Sequence, residues 1–458
     1  MNQRTTVTIL GAGLVGTLLS VLLRKRGYEV TIYERRPDMR KEAIGAGKSI
    51  NLAMSNRGWK ALGLAGLSQD IEAIAIPMTG RYLHQADGSA AFQAYGKNGE
   101  AIYSVSRAEL NKKLMDLAEA HGVRILFDQR CTKVDVAENI VFLKKEDGSV
   151  SSVKCDLLFG ADGAFSALRT AYSHLDRTNF AQQYIEAGYK ELNIPADAKG
   201  EWQLEKNALH IWPRRNFMMI ALPNIDGSFT CTLFFPFEGE PSFATITTAE
   251  AAREFFEKEF PDAVPLMPTL VRDYLANPTS SLITTKIFPW KYKDQSALIG
   301  DAAHAIVPFY GQGMNAGFED CSVLVELMEK HGNDWETILG IYQQRRKPNG
   351  DAVLELALAN FIEMRDRVAD PVFLERKKIE KDLGISFPGR FNSVYEMVSF
   401  SHTPYAHAWQ CTQAQDLLLG KIMAAGNYFE LKKEPSFQAQ LEEWMKAYES
   451  SVATNGFG

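Results

Sequence analysis

Apolar runs separated by glycine-containing turns dominate the first part of the chain. Residues 7–23 (VTILGAGLVGTLLSVLL) carry no charge, and Gly11 and Gly13 interrupt the run soon after it begins. A short apolar run that ends in a glycine turn indicates a buried β-strand, and the longer run behind it indicates a helix that closes near Gly27. The next apolar segment, residues 29–34 (EVTIYE), predicts a second strand. The pattern therefore predicts a β-α-β unit near the N-terminus.

An uncharged run near the N-terminus can also indicate a signal peptide or a membrane span. Here no small-residue cleavage site follows, a basic segment (RKRG, residues 24–27) comes next, and two glycines break the apolar helix. A later apolar stretch, DLLLGKIMAAG at residues 416–426, is too short to cross a bilayer. The sequence therefore predicts neither export nor membrane insertion.

Gly11, Gly13 and Gly16 follow the first predicted strand in G-x-G-x-x-G register. In this arrangement the first glycine permits a tight turn, the second lets the backbone approach a pyrophosphate, and the third allows close helix packing. Glu34 ends the second predicted strand, where a carboxylate can accept hydrogen bonds from ribose hydroxyls. The segment therefore predicts a bound dinucleotide rather than a nucleotide-free α/β core, and it leaves the choice between NAD and FAD open.

Two later segments repeat the plan of an apolar strand followed by a turn with an aspartate. Residues 155–169 (CDLLFGADGAFSALR) place Asp162 after such a strand, a pattern that in isolation usually indicates a turn with an aspartate cap. Residues 297–320 (ALIGDAAHAIVPFYGQGMNAGFED) place Asp301 at a strand end, where α/β sheets bind ligands. We therefore expect Asp301 to hydrogen-bond a ribityl or ribose hydroxyl.

The second of these segments continues into a predicted helix that opens at Gly313, Met314 and Asn315. The free N–H groups and the positive dipole end of a helix N-terminus stabilise negative charge. A reduced flavin carries negative charge along one ring edge, so we expect this helix end to face it. The two later segments together favour FAD over NAD.

Composition and charge narrow the class of protein. The 458 residues are 46% hydrophobic and 23% charged, as is typical of a globular chain, and the net charge of -6 argues against a nucleic-acid binder. The five cysteines are widely spaced without a C-x-x-C pair, so neither a zinc site nor a disulfide framework is predicted. We therefore expect no metal, and a reducing, cytoplasmic location.

Three segments, GAGLVG, GADGAFSALR and GDAAHAIVPFYGQGMNAGFED, resemble the ordered fingerprints of the single-component FAD-dependent aromatic hydroxylases. Further stretches, among them SVSRAELNKKLMDLA, GYKEL and YEMVSFSHTPYAHA, are similar to the branch of this family that acts on L-kynurenine. The resemblance implies an α/β fold with a Rossmann-type, glutathione-reductase-like FAD-binding domain, an interposed and mostly β substrate domain, and a C-terminal helical region.

The chain is expected to divide into three parts. The predicted ranges are residues 1–70, 98–178 and 285–330 for a discontinuous FAD-binding domain, 71–97 and 179–284 for a substrate-binding sheet, and 331–458 for helices that close the pocket. Turn breaks are predicted within the helical part at RKPNGD (residues 346–351) and at ISFPGRFN (residues 385–392). Eukaryotic members of the family carry a C-terminal membrane anchor, and the polar ending of this chain predicts none.

The resemblance also implies a reaction. NADPH reduces FAD, O2 adds to give a flavin C4a-hydroperoxide, and one oxygen atom passes to the ring of L-kynurenine to give 3-hydroxykynurenine, in tryptophan catabolism or in quinolinate and NAD biosynthesis. The flavin carries this chemistry, so no catalytic side chain is predicted. His304, close to Asp301, is interpreted as a hydrogen-bonding spacer rather than a proton donor. No second glycine fingerprint in a β-α-β context is present, so we expect NADPH to have no Rossmann domain of its own.

Residue by residue, the resemblance implies a substrate site in which Arg81 holds the carboxylate of the substrate. The other residues implied to contact the substrate are Tyr95, Asn360 and Tyr395, with an apolar wall of Leu209, Ile220, Leu222, Phe234, Phe309 and Tyr310. On the cofactor side it adds Ala53 and Arg107 to the residues of the fingerprints. Each polar candidate also has an ordinary structural interpretation: a strand-edge cation, a hairpin or core aromatic, or a helix-surface amide.

Lys48 and Tyr310 depart from the family pattern, which leaves the finer specificity of the pocket open. The alternatives are an FAD hydroxylase of another aromatic acid, an NAD-linked dehydrogenase, a flavin halogenase and a non-catalytic flavin sensor. The halogenase is disfavoured because the chain has no W-x-W-x-I-P segment. The sequence leaves the oligomeric state open between monomer and dimer.

Overall fold

Four β-sheets organise the part of the chain that the computed structural model describes, residues 6–41, 50–96, 99–363 and 371–453. The strands are β1 (Thr6–Leu10), β2 (Glu29–Tyr33), β3 (Asn51–Met54), β4 (Ala75–Met78), β5 (Gly80–His84), β6 (Ala90–Ala94), β7 (Ile102–Ser106), β8 (Arg124–Leu126), β9 (Arg130–Asp135), β10 (Ile140–Lys144), β11 (Val150–Lys154), β12 (Leu157–Gly160), β13 (Asn179–Ile194), β14 (Ala208–Arg214), β15 (Phe217–Pro223), β16 (Phe229–Pro236), β17 (Ser280–Phe288), β18 (Lys291–Tyr292) and β19 (Ser296–Leu298).

Helices cover these sheets and make up most of the described C-terminal residues. They are α1 (Leu14–Arg24), α2 (Asn56–Ala65), α3 (Ser68–Glu72), α4 (Arg107–Ala120), α5 (Ala167–Tyr172), α6 (Ala249–Glu259), α7 (Leu270–Ala276), α8 (Asp301–His304), α9 (Gly313–His331), α10 (Trp335–Ile362), α11 (Pro371–Ser386), α12 (Val394–Ser399), α13 (Tyr405–Ala424), α14 (Tyr428–Leu431) and α15 (Pro435–Ala453).

The six-stranded sheet has the order β18-β19-β12-β1-β2-β8 and is parallel except for β18. The predicted β-α-β unit is confirmed as β1, α1 and β2. Its helix ends at Arg24, because Gly27 has a φ of +86° and turns the chain toward β2. Leu10 pairs with Gly160, and Gly160 pairs with Leu298. The carboxyl ends of β1, β12 and β19 therefore lie side by side.

The seven-stranded sheet has the order β17-β13-β16-β15-β14-β5-β6 and presents two different faces. Alternation along β15 places Ile220 and Leu222 on one face and Phe217, Met219 and Ala221 on the other. The second face is buried under α6 and α7 in a core rich in phenylalanine. The first face is thus left to line a cavity. The division into three domains stays a prediction.

The predicted turn break at residues 346–351 is wrong, because α10 runs through it without interruption. Pro348 lacks the N–H that would continue the helical ladder, which ordinarily ends or kinks a helix. Tertiary contacts on both sides of Pro348 outweigh this cost. Arg346 is buried and ion-paired, and a Cβ on Gly350 would lie 2.9 Å from the indole of Trp290. The second predicted break is confirmed, since α11 ends at Ser386 and α12 begins at Val394.

A polar cluster lies beneath the seven-stranded sheet, on the face away from the cavity. The His84 Nδ1 atom is 2.8 Å from Asp262, and its Nε2 atom is 2.9 Å from Nδ1 of His210. The His210 Nε2 atom lies 2.9 Å from the carbonyl oxygen of Glu205, which can only accept. Burial lowers the pKa of His210 to about 4, so this imidazole is neutral at pH 7.

We predict that this histidine makes stability depend on acid pH. Between about pH 6.5 and pH 4, His210 binds a proton in the unfolded chain but not in the folded protein. The free energy of unfolding therefore falls as pH drops through that window. The loss amounts to about 3 kcal/mol at the lower end. His210→Gln should be less stable at pH 7 yet depend less on pH, whereas the control His121→Gln, at an exposed site, should match the parent. Urea denaturation from pH 7 to pH 4 measures both, and an unchanged pH slope in His210→Gln would contradict a neutral buried imidazole.

Candidate active site

One cavity of about 1290 Å³ extends from the carboxyl edge of the six-stranded sheet to the open face of the seven-stranded sheet. Pockets for one small molecule usually measure roughly 300 to 1,000 Å³, so this one has room for a second ligand. The predicted cofactor residues on its wall are Gly11, Gly13, Glu34, Ala53, Arg107, Asp162, Asp301, Gly313 and Met314. The predicted substrate residues on its wall are Arg81, Tyr95, Leu209, Ile220, Leu222, Phe234, Phe309, Tyr310, Asn360 and Tyr395.

The structure thus brings the predicted residues together, with two exceptions, and their roles as contacts stay predictions. Gly16 lies inside α1, where a Cβ would come 2.2 Å from the carbonyl oxygen of Gly11, so it serves close packing. Asn315 is buried behind the wall, and its side chain bonds the backbone of Ser55, Ala53 and Gly311. Lys48 lies outside the described residues.

The glycine turn after β1 fits a dinucleotide on steric grounds. Gly11 has a φ of +97°, and a Cβ there would lie 2.6 Å from the carbonyl oxygen of Ala161, so the protein itself requires glycine. At Gly13 a Cβ would meet nothing within 4 Å. Gly13 also lines the cavity and precedes α1 without a side-chain cap for the helix N–H groups. The absence of a side chain at Gly13 therefore leaves room for a bound group, and a pyrophosphate suits those free N–H groups.

Glu34 is a buried carboxylate at the edge of this turn. It accepts hydrogen bonds from the N–H of Ala12 (2.8 Å) and from the Nε of Arg36 (2.8 Å). Burial alone raises the pKa of Glu34, but the hydrogen bonds and the charge of Arg36 lower it overall. The carboxylate is therefore ionised, fixes the glycine turn and can still accept hydrogen bonds from ribose hydroxyls.

The two predicted aspartates lie at the neighbouring strand ends. The Oδ2 atom of Asp162 accepts the N–H of Ala167 at 2.7 Å, while its Oδ1 atom is buried without a partner among the described residues. Burial raises the pKa of Asp162. Asp301 opens α8 directly after Gly300, whose N–H donates to Asp320 at 3.0 Å. An unpartnered buried oxygen beside a cavity is suited to a ligand hydroxyl, so the residues present fit FAD.

His304 is buried and is not among the residues that line the cavity. Its Nε2 atom lies 2.6 Å from Asp320, and its Nδ1 atom has no partner in the described structure. A carboxylate oxygen only accepts hydrogen bonds, so Nε2 of His304 donates to Asp320. The geometry agrees with the interpretation of His304 as a hydrogen-bonding spacer.

The far end of the cavity combines one cation with stacked aromatic rings. Arg81 donates from Nε to the side-chain oxygen of Gln93 at 3.2 Å, and no described aspartate or glutamate pairs with its guanidinium. The ring of Tyr395 stacks between Tyr95 (centroids 5.5 Å apart) and Tyr310 (5.8 Å). Burial raises the pKa of all three phenols, which keeps them neutral at pH 7. This end can hold a carboxylate beside an aromatic group.

Two lining residues, Phe309 and Arg81, contact residues that the sequence reasoning did not find, Phe361 and Gln93. Phe309 packs against Phe234 (4.8 Å) and stacks on Phe361 (4.2 Å), while Asn360 donates to the carbonyl oxygen of Phe309 at 2.7 Å. Asn360 thus holds the backbone of this wall. Gln93 was also missed, although the hairpin register that pairs it with Arg81 could have indicated it. For Phe361, the available signal was its position directly after the predicted residue Asn360.

Comparison with known proteins agrees with this geometry. A family model described as an FAD binding domain matches residues 4–357. Two solved structures share the fold: 2-methyl-3-hydroxypyridine-5-carboxylic acid oxygenase (TM-score 0.65, 21% identity, 82% of this chain and 96% of that chain) and tetracycline destructase Tet(51) (0.61, 16%, 88% and 100%). The fold and the cavity therefore define an FAD-binding protein of the Rossmann type, as the sequence predicted.

More similar sequences narrow the class. Kynurenine 3-monooxygenase of Flavobacterium johnsoniae is 47% identical and covers 97% of this chain and 100% of its own length. The enzymes of that name from Myxococcus xanthus (45%, 99% and 99%) and Dictyostelium discoideum (45%, 93% and 95%) match equally broadly. The chain belongs to the kynurenine 3-monooxygenase family. Within the described residues, no helix is both long and apolar enough for a membrane span.

Gly13 has free space beside it and Gly16 has none, and this difference gives a test of the turn that is predicted to hold the cofactor. Gly13→Ala should leave the stability of the apoprotein unchanged and weaken FAD binding by about tenfold or more, because the added methyl group occupies the space that the cofactor needs. Gly16→Ala should instead destabilise the apoprotein by about 1 to 3 kcal/mol through overpacking. Fluorescence titration with FAD and urea denaturation of the apoprotein separate the two effects. Equal FAD affinity in Gly13→Ala and the parent would place the pyrophosphate elsewhere.

Proposed function

We propose that the protein is an NADPH-dependent FAD monooxygenase that hydroxylates L-kynurenine to 3-hydroxykynurenine. The observation that carries the proposal is the continuity of the cavity. The glycine turn after β1 and the aspartates at the strand ends line one part of the cavity. That part opens directly into a chamber that has Arg81 at one end and aromatic side chains around it. The relatives named kynurenine 3-monooxygenase span this chain almost completely, which supports the same assignment.

The residues of the chamber match an amino acid with an aromatic tail. Kynurenine carries an α-carboxylate, which Arg81 can bind through charge-assisted hydrogen bonds. Its aromatic ring fits between the tyrosine stack and the wall formed by Phe234 and Phe309. FAD, when bound, activates O2 with electrons from NADPH. The amino group on the ring of kynurenine already makes that ring electron-rich, so the protein needs to orient the ring and exclude water rather than supply a base.

The backbone contacts of the wall indicate how the orientation is kept. Asn360 fixes the carbonyl oxygen of Phe309, and Asn315 fixes the backbone around Ala53 and Gly311. The two amides thus hold main-chain segments that border the cavity, Asn360 at the apolar wall and Asn315 at the cofactor edge. Side chains that are locked by such hydrogen bonds present a fixed surface to the reacting ring.

We also propose that the protein works in the cytoplasm as part of tryptophan catabolism or of quinolinate and NAD biosynthesis. The five cysteines are free thiols and four of them are buried, which suits a reducing compartment. The substrate assignment places the reaction in these pathways, since its product is a ring-hydroxylated tryptophan metabolite.

The direct test of this function is NADPH oxidation by the purified protein with and without L-kynurenine. We expect stimulated oxidation and one 3-hydroxykynurenine formed for each NADPH consumed, with hydrogen peroxide as the measure of uncoupled turnover. The flavin spectrum of the purified protein provides the control for cofactor content. If the protein is yellow but kynurenine does not stimulate NADPH oxidation, the substrate assignment is refuted and the FAD assignment is not. Other aromatic acids would then be assayed as alternative substrates.

The assignment of Arg81 predicts a selective loss of substrate binding. Arg81→Ala should cost about 2 kcal/mol of charge-assisted binding and so raise KM for L-kynurenine about thirtyfold, with FAD content unchanged. The decarboxylated analogue of kynurenine is the matched control, because it cannot use the guanidinium and its KM should be equal in both proteins. If KM rises equally for the analogue, Arg81 supports the fold of the chamber and does not bind the carboxylate.

A further inference from the structure

Four charged side chains, three of them buried, connect the cofactor edge of the cavity to the C-terminal helices. Arg57 of α2 pairs with Glu319 of α9 at 2.5 Å, and Glu319 also pairs with Arg346 of α10 at 2.5 Å. Arg346 pairs in turn with Asp320 at 2.6 Å. The side chains of Arg57, Arg346 and Asp320 are at most 3% exposed. Two cations thus neutralise two carboxylates inside the protein.

One end of this network lies at the cofactor edge. Asp320 accepts the N–H of Gly300, the residue before Asp301, and the Nε2–H of His304. Burial alone would raise the pKa of Asp320, but His304 and Arg346 lower it overall, so its carboxylate stays charged. The network therefore starts from the turn that carries Asp301.

The other end lies at the segment that follows Tyr395, residues 397–403. Arg57 donates from Nη2 to the carbonyl oxygens of Thr403 (2.5 Å) and Met397 (3.4 Å). Its neighbour Asn56 donates to the carbonyl oxygen of Phe400 at 2.8 Å. The first turn of α2 thus holds the segment at three carbonyl groups.

The same contacts determine where Tyr395 lies. Met397 belongs to α12, the helix that carries Tyr395, and Phe400 packs edge-on against the Tyr395 ring with centroids 5.9 Å apart. The Arg57 guanidinium also lies 4.0 Å from the ring centroid of Tyr405, whose hydroxyl donates to Gln312 beside the start of α9. A shift of residues 397–403 would therefore carry Tyr395 away from Tyr95 and Tyr310 and open the chamber.

We propose that Arg57 is a positioning residue for substrate binding, and that with Asn56 it latches residues 397–403 so that Tyr395 closes the kynurenine chamber. The inference rests on the proposed function, since it assigns Tyr395 to the wall around the substrate. Arg57 itself does not line the cavity. It acts through Tyr395, and its charge is balanced by Glu319, so that the guanidinium can be buried while it holds backbone carbonyls.

Arg57→Lys is the sharpest variant. A lysine keeps the positive charge beside Glu319, but its single nitrogen lacks the planar fork that reaches Glu319 and two carbonyls together. Asn56→Ala removes only the hydrogen bond to Phe400 and tests the latch without altering a buried charge. Lys60→Ala is the matched control, because Lys60 lies one turn further along α2 and pairs with Glu326 at the surface.

The FAD-loaded protein should be compared by hydrogen–deuterium exchange and by steady-state kinetics. In Arg57→Lys we expect faster exchange confined to the peptides of residues 394–405, with residues 157–172 unchanged as an internal reference. We also expect KM for L-kynurenine to rise about tenfold and the yield of 3-hydroxykynurenine per NADPH to fall at least twofold, with FAD content unchanged. Asn56→Ala should change the same quantities less, and Lys60→Ala should match the parent.

The outcomes separate the latch from a general structural role. Faster exchange throughout the chain with loss of FAD, or unchanged exchange at residues 394–405 with unchanged KM, would overturn the proposal. If Arg57→Lys does not fold, Asn56→Ala decides by the same criteria. If kynurenine does not stimulate NADPH oxidation by the parent protein, the proposed function is refuted instead. The rate of hydrogen–deuterium exchange at residues 394–405 would still decide whether Arg57 holds the segment.

Discussion

The parallel register of β1, β12 and β19 is the constraint on which the site depends. These strands come from sequence positions far apart, yet their carboxyl ends pair side by side, so the turns after them converge. The convergence is tight enough that a Cβ on Gly11 would lie 2.6 Å from the carbonyl oxygen of Ala161, and a Cβ on Gly300 would lie 3.1 Å from Val15. Close backbone approach leaves a shallow edge of N–H groups and carboxylates, which is the surface that a long, polar cofactor needs.

The seven-stranded sheet forms the apolar part of the cavity through the difference between its two faces. Its helix-covered face supplies a hydrophobic core, and its other face lines the cavity. The aromatic side chains on that open face and on the turn with Phe309 pack against one another. The chamber thus keeps its shape through its own packing, and the polar cofactor edge and the apolar chamber can share one cavity.

Local sequence patterns predicted those features that depend on residues close together in the sequence. The β-α-β unit followed from a glycine turn between apolar runs, and the position of Asp301 at the carboxyl end of a strand followed from the rule for strand ends. The error at Pro348 arose because burial of Arg346 and packing at Gly350 outweigh a local preference. Gln93 and Phe361 were missed because their importance comes from the strand register and from a ring contact across the chain. The targets of the Asn315 and Asn360 amides are backbone atoms, which no residue pattern specifies.

The hydrogen bonds from Asn56 and Arg57 end on carbonyl oxygens, and every residue type supplies a carbonyl oxygen. The side chains of residues 397–403 can therefore be exchanged without removing a single acceptor. A mutation at Phe400 can change the packing against the ring of Tyr395 while the backbone acceptors remain. This arrangement lets substrate preference drift in evolution independently of the closure of the cavity, because selection on the two acts through different atoms.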